Sequence, residues 1–319
     1  MPRLLPIRPE VHQPHPLHAP DRCWPETNCY LDLWIELLNA LGLPPEAAMG
    51  FTARQDFEGD QFGFSKVPLE DLETLYGLRV QELAIYEPVE AHVLRQMARG
   101  RLCLVELDPF WLPDTGQAAY RVQHGKTTVG INAIDVDARR LEYFHNAGYF
   151  ALEGEDFDQL FRPAAPDDRP FRPYVEFTTL EPIRLSQAEL KARAAAILAR
   201  DWARRPAQNP IRLFQQVYAE RAEALAGQGE QAFHDFAFHN PRLLGANFAM
   251  LAACLDWLSD GTDARIAHCH TIAETAKAAQ FQLARALARR RFDTLAPALE
   301  PAADAWDALF EAQAVRDAA

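Results

Sequence analysis

Residues 105–150 read VELDPFWLPDTGQAAYRVQHGKTTVGINAIDVDARRLEYFHNAGYF, and this stretch decides the fold that the sequence predicts. Two runs within it, Thr127–Ile134 and Arg140–Phe144, are rich in β-branched and aromatic residues and are separated by the polar segment DVDA. Such a pattern is typical of a β-hairpin. We therefore predict an antiparallel hairpin within an α+β domain.

The residues on both sides of the hairpin extend the sheet and add helices. Further strands are predicted over Val80–Tyr86, Leu102–Leu107 and Tyr174–Thr179, and helices over Leu69–Tyr76 and Val89–Ala98. An earlier helix is predicted in CYLDLWIELLNALG, residues 29–42, because apolar residues recur there at helical spacing.

After Pro182 the sequence predicts helices only. Their expected bounds are 187–204, 211–226, 230–238, 241–258, 263–291 and 304–315. The short connections between them favour a helical bundle. The expected organisation is an extended N-terminal arm at residues 1–24, an α+β domain at 25–183 and an all-α domain at 184–319.

The arm contains six prolines and three histidines, His12, His15 and His18. Proline at this density disfavours helices and strand pairing, so we expect a solvated, extended leader. A metal site formed by the three histidines is the alternative.

Composition excludes several classes of protein. The 319 residues carry 32 basic and 45 acidic side chains, a net charge of -13, which disfavours binding to nucleic acid or to an anionic membrane surface. There is no run of about 18 apolar residues to cross a membrane, and the early prolines do not fit a signal peptide. Five cysteines without regular spacing do not predict a disulfide framework. We expect a cytoplasmic, thiol-reducing location.

A cysteine, a histidine and an asparagine are the candidates for chemistry. Thr27 and Asn28 are good helix N-caps, so Cys29 falls in the first turn, where the helix dipole stabilises a thiolate. His124 precedes one strand of the hairpin and Asn146 follows the other, which allows the two to lie side by side. Each residue also has a structural alternative: a buried cysteine, a histidine that ends a strand and an asparagine in a turn. His145 is the other candidate for the catalytic base.

The segments that contain these three candidate residues resemble known protein families. Residues 105–150 resemble the second half of a papain-like fold, in which a histidine heads a strand after a "D-x-(Y/F)-x-LP" segment. Residues 28–150, which include NCYLDLWIELLNALGLPPEAAMGF, resemble the N-terminal domain of butirosin-type acyltransferases, which move an acyl group from a carrier protein to an amine. The whole chain, including FTARQDFEGDQF and FSKVP, resembles an uncharacterised bacterial family often encoded beside aminoacyl-carrier-protein ligases.

The resemblance implies a papain-like cysteine-protease fold followed by an all-α domain. It implies that Cys29 is the nucleophile, His124 the base and Asn146 the orienting residue, although the acyltransferase relatives usually have Asp at the last position. The oxyanion would be held by Asn28, by the Cys29 backbone N–H group or by Gln61.

The function implied is aminoacyl transfer from a carrier-protein thioester through an acyl-enzyme on Cys29. The amine acceptor, a small molecule or a peptide, is left open. No metal, nucleotide or redox cofactor is expected, because a thioester is already activated. The carrier protein would supply the phosphopantetheine arm. The alternatives are a cysteine hydrolase, acting on a thioester or a peptide, and a non-catalytic scaffold that binds a carrier protein.

The acidic segment DFEGDQ is the candidate for substrate binding. Its carboxylates, Asp56, Glu58 and Asp60, would pair with the α-ammonium of an aminoacyl group. It lacks the alternating ligands and distal Glu of an EF-hand calcium loop. A solvated acidic turn is the alternative.

The helical half is the candidate for partner docking. Residues 185–319 are nearly neutral, with a net charge of -1 against -12 for residues 1–184. Their densest basic patch would suit an acidic carrier protein and consists of Arg285, Arg289, Arg290 and Arg291. A solvated helix end is the alternative. The segment His268–His270 does not predict a metal site, because neighbours two apart point away from each other on a helix.

Overall fold

The computed structural model of the chain describes residues 3–161 and 172–317. These residues form two compact units, which are treated separately below. The first unit comprises Met1–Ala19, Asn28–Pro45 and Pro68–Arg184. The second unit comprises Pro20–Thr27, Glu46–Val67 and Leu185–Ala319. Among the described residues, no helix is both long enough and apolar enough to cross a membrane.

The first unit is a mixed α+β structure built on one six-stranded antiparallel sheet. The strands are β1 (Val80–Glu82), β2 (Arg101–Leu107), β3 (Thr127–Asp135), β4 (Arg140–His145), β5 (Gly148–Glu153) and β6 (Val175–Thr179). They lie in the order β1-β6-β2-β3-β4-β5. The helices are α1 (Cys29–Ala40), α2 (Leu69–Tyr76), α3 (Val89–Met97), α4 (Gly116–Ala119) and α5 (Glu155–Phe161).

The predicted hairpin is confirmed as β3 and β4, and it is extended by a strand that the sequence analysis did not predict. Asn146 adopts a left-handed conformation, with a φ of 44°, and allows β5 to turn back immediately onto β4. The closing pair of this turn is His145 with Gly148. Strand β1 is shorter than predicted, ending at Glu82.

Helix α1 lies against one face of the sheet, and a hydrophobic core cluster lies on the other. A Cβ atom at Gly130 would lie 3.4 Å from both Leu33 of α1 and Leu102 of β2, so glycine permits a close approach of the helix to the strand. Because side chains alternate along a strand, Val129 and Ile131 point to the opposite face and are fully buried there in the core.

The N-terminal arm is not a solvated leader, which corrects the prediction. Nε2 of His12 lies 2.6 Å from Glu36 Oε2, and Nδ1 of His18 lies 2.5 Å from Glu36 Oε1. The backbone N–H group of His15 also donates to Glu36, at 2.9 Å. Glu36 is a fully buried residue of α1, so its carboxylate needs these partners. The histidines therefore attach the arm to α1.

Burial alone would lower the pKa of His18, but its hydrogen bonds to Asp32 and Glu36 outweigh burial and raise this pKa to about 9. Burial alone would raise the pKa of Glu36, but its hydrogen bonds with His12 and His18 lower it to about 2. His18 of the arm and Glu36 of α1 therefore form a charged pair that persists across neutral pH.

We expect His18→Gln to destabilise the protein in a pH-dependent way. Because the folded pKa of His18 is above its ordinary value of 6.5, the stabilisation is complete below about pH 6.5 and is lost as the pH rises through about 9. The full effect is on the order of 3 kcal/mol in the free energy of unfolding. Urea unfolding at about pH 6 and about pH 9.5 measures it. The same change at the exposed His234 is the control, and an equal loss at both pH values would contradict the expectation.

The second unit is helical in its C-terminal region, as predicted. Its helices are α6 (Gln187–Ala203), α7 (Pro210–Leu225), α8 (Glu230–Ala237), α9 (Leu243–Ser259), α10 (Arg265–Arg289), α11 (Leu295–Ala298) and α12 (Glu300–Asp317). Pro241 lies in a π-helical turn at Phe238–Arg242, between α8 and α9.

Two segments from the N-terminal half of the chain belong to this second unit. The indole N–H group of Trp24 donates to the carbonyl of Ala273 at 2.9 Å, and a Cβ atom at Gly245 would lie only 2.3 Å from the same indole. Glycine therefore permits the ring to lie against α9. Residues 46–67 also belong to this unit, whereas the sequence analysis grouped them with residues 25–183.

Candidate functional site

Cys29 is the first residue of α1. The side-chain oxygen of Asn28 accepts hydrogen bonds from the N–H groups of Tyr30, at 3.1 Å, and Leu31, at 3.0 Å, and so caps the helix. Cys29 is half-buried, as is Cys23. The cap holds the Cys29 thiol at the positive end of the helix dipole.

The other four cysteines are less suited to form a thiolate. Burial raises the pKa of Cys103 and of Cys254 to about 12. Burial also raises the pKa values of Cys269 and of Cys23. Since the thiolate is the reactive form, these shifts make the other four thiols poor nucleophiles.

The first turn of α1 is held against the sheet by one carboxylate, that of Glu176, which was not predicted from the sequence. The hydroxyl of Tyr30 donates to Glu176 of β6 at 2.7 Å, and the hydroxyl of Tyr174 donates to the other oxygen at 2.8 Å. Burial and the nearby Glu176 carboxylate raise the pKa of Tyr30. These bonds fix the position of the residue that follows Cys29.

His124 has an orienting carboxylate, Asp108. Nδ1 of His124 lies 2.7 Å from Oδ2 of Asp108, and the imidazole stacks on Phe110 with 4.1 Å between the ring centroids. The side chain of His124 is 68% exposed. When Nδ1 carries the proton that it shares with Asp108, Nε2 is left as the basic nitrogen. This arrangement is suited to general-base catalysis.

Strand pairing explains why Asp108 and His124 meet. Leu107 at the end of β2 pairs with Thr127 at the start of β3, so the residues just beyond these two strand ends lie at the same edge of the sheet. Asp108 also accepts a hydrogen bond from the backbone N–H group of Gly125, at 3.2 Å. Asp108 is the Asp of the "D-x-(Y/F)-x-LP" segment in DPFWLP, residues 108–113, which carried the resemblance, but no orienting role was predicted for it.

Asn146 occupies the turn between β4 and β5, where its left-handed conformation is the feature that the fold requires. The predicted orienting contact of Asn146 with His124 is replaced by that of Asp108 at Nδ1. Left-handed backbone is tolerated best by glycine and asparagine.

His145, the competing histidine, is buried in a separate network. Its Nδ1 lies 2.5 Å from Asp114 Oδ2 and its Nε2 lies 2.7 Å from the Thr127 hydroxyl. The Tyr143 hydroxyl donates to the same carboxylate at 2.5 Å. The residue is only 1% exposed, so both ring nitrogens are engaged away from solvent. This network ties two strands to the segment that follows β2.

The acidic segment forms a tight loop in the second unit. Phe57 and Phe62 bridge its two ends, and the N–H group of Glu58 donates to the carbonyl of Gln61 at 2.9 Å. Asp56 and Glu58 line a pocket of about 180 Å³. Asp60 and Gln61 are exposed residues of the loop tip.

The four arginines of the basic patch lie near the end of α10 and line two different pockets. Arg285, Arg289 and Arg291 line one open groove of about 510 Å³, which we call the arginine groove. Arg290 adopts a left-handed conformation, with a φ of 51°, and lines a different pocket together with Phe233. Among the described residues, no group of three His, Cys, Asp or Glu side chains is placed to hold a metal ion.

The fold and these sites define a two-part protein, with an α+β region built on an antiparallel sheet and a helical C-terminal region. Residues 13–180 match the DUF1839 N-terminal domain, and residues 187–315 match the DUF1839 C-terminal domain. The chain therefore belongs to the DUF1839 family. None of the curated proteins is significantly similar to it.

Proposed function

We propose that the chain is a cysteine-dependent acyltransferase with a papain-like N-terminal region. It takes an aminoacyl group from a carrier-protein thioester onto Cys29 and passes it to an amine. The observation that carries the proposal is the pairing of His124 with Asp108, because an exposed imidazole with an oriented Nδ1 is equipped to accept a proton.

The proposed reaction has two steps. His124 accepts the thiol proton, and the Cys29 thiolate attacks the thioester carbonyl while the Cys29 backbone N–H group, with Asn28, holds the oxyanion. The bond to the carrier sulfur breaks, and that sulfur takes the proton from His124. The amine then attacks the acyl-enzyme, transfers a proton to His124 and restores the thiol through the reverse proton path. Asp108 replaces Asn146 as the orienting residue and stabilises the imidazolium.

No bound cofactor is needed, because a thioester is already activated. The carrier protein supplies the phosphopantetheine arm, and a reducing cytoplasmic location would keep Cys29 as a thiol. The carrier protein is therefore the binding partner of this chain in the proposed reaction.

Mass spectrometry of the protein mixed with an aminoacylated carrier protein tests the proposal. We expect one aminoacyl mass on the peptide that contains Cys29. Added amines should convert it into an amide; release as free acid despite added amine would identify a hydrolase instead. No adduct under single-turnover conditions, together with an intact carrier thioester, would reject the acyltransferase and favour a scaffold.

We expect the arginine groove to bind the carrier protein. Changing Arg285, Arg289 and Arg291 to Glu should weaken binding at low salt by about 1–3 kcal/mol, because an acidic surface would then meet carboxylates. Arg290→Glu is the matched control, since Arg290 lines a different pocket. If Arg290→Glu weakens carrier-protein binding as much, per charge reversed, as the triple change does, the effect would come only from the long-range change in net charge.

A further inference from the structure

The second unit contains a small polar pocket beside the acidic loop, which we call the loop pocket. Its volume is about 180 Å³. Its buried polar lining consists of Gln55, Ser65 and Asn247, none of them more than 8% exposed. The pocket therefore has the size and polarity for a small polar molecule.

Charges of both signs line the loop pocket. Asp56 and Glu58 supply two carboxylates, and Arg54 and Lys66 supply two cations. The guanidinium of Arg54 forms an ion pair of 3.7 Å with Asp201, which Arg200 also contacts at 2.5 Å. A ligand of a single sign would meet repulsion from one of the two pairs, whereas a zwitterion complements both.

Gln55 provides an independent indication of a ligand. Its Nε2 atom donates to the carbonyl oxygens of Gly63 and Leu243, both at 3.2 Å. Its Oε1 atom is buried and accepts no hydrogen bond within the described part of the chain. Buried acceptors in proteins are normally paired. The ammonium group of a bound molecule would supply the missing donor.

We propose that the loop pocket binds a small free α-amino acid. Its ammonium group pairs with Asp56, Glu58 and the Gln55 oxygen, and its carboxylate pairs with Arg54 and Lys66. The sequence predicted only that the carboxylates of this loop bind an ammonium group. Arg54 and Lys66 add a binding site for the carboxylate of the same molecule. The binding of this molecule does not rest on the proposed function.

Calorimetric titration of the intact protein with glycine, alanine, glycinamide and N-acetylglycine tests the inference. Glycine and alanine should bind. Loss of either charge, in glycinamide or in N-acetylglycine, should weaken binding at least about tenfold, because the ion pairs between that charge and the pocket are then lost. Equal binding of glycine and glycinamide would overturn the proposal in favour of an aminoacyl group, and no binding by any of the four would overturn it outright.

Two loop variants provide a matched comparison. Glu58→Gln removes a carboxylate from the pocket lining, and Asp60→Asn removes one from the exposed loop tip. We expect glycine binding to fall about tenfold in the first and by less than about twofold in the second. Equal losses would contradict a specific site. Amino-acid binding without an adduct on Cys29 would reject the proposed function and support the amino-acid site. An adduct on Cys29 without amino-acid binding would support the proposed function and reject the amino-acid site.

Discussion

Cys29→Ala is expected to abolish acyl transfer while the protein stays folded. The variant removes the sulfur that forms the acyl-enzyme, and no other group near the helix start can replace a thiolate as the nucleophile in this mechanism. Alanine is a favourable helix residue, and Cys29 is only half-buried, so α1 should form unchanged. Turnover of an aminoacylated carrier protein measures the loss, and thermal unfolding measures the fold.

Cys23→Ala is the matched control for this prediction. Cys23 is the other half-buried cysteine, but burial raises the pKa of its thiol. The Cys23 variant should keep full activity, and in the wild type a thiol reagent near neutral pH should modify Cys29 before Cys23. Retention of most activity in Cys29→Ala would eliminate the papain-like mechanism.

His124→Ala is expected to lower the rate of acyl transfer by at least about 10²-fold, as loss of a general base does. Asp108→Asn should lower it less, because Asp108 orients the imidazole and stabilises its charged form without taking the proton itself. Single-turnover measurement of acyl-enzyme formation separates this step from release of the product.

His234→Ala is the control, since His234 is also an exposed histidine beside a carboxylate, 3.3 Å from Glu230. We expect no change in rate there, and little change in Asn146→Ala if the turn is kept. A severe loss in Asp108→Asn should come with an altered pH profile, which a purely structural role would not produce. A mild effect of His124→Ala would assign the base elsewhere.

Much of the secondary structure was predictable from local patterns. The helix over Leu69–Tyr76 has the predicted bounds, and strand β3 starts at the predicted Thr127. Strand β5 was not predicted, because its start at Gly148 depends on the left-handed turn at Asn146. A two-residue turn between two apolar runs is easily taken as the end of a strand.

The position of Cys29 at a helix start was predictable from the sequence, but the contact between His124 and Asp108 was not. Asn28 capping α1 involves residues two and three positions apart, so a local pattern was sufficient to place Cys29 at a helix start. Asp108 and His124 are 16 residues apart, and they meet only because β2 and β3 pair in one particular register.

The sequence by itself determined the elements: helical periodicity, caps and β-branched runs act over a few residues, and neighbouring side chains are sufficient to specify them. Only the tertiary structure decided which distant charges meet. Glu36 pairs with His12 and His18, which are 24 and 18 residues away, because it is buried on α1. The physical reason is that a buried charge takes whichever partner packing brings within reach, and packing depends on the whole chain.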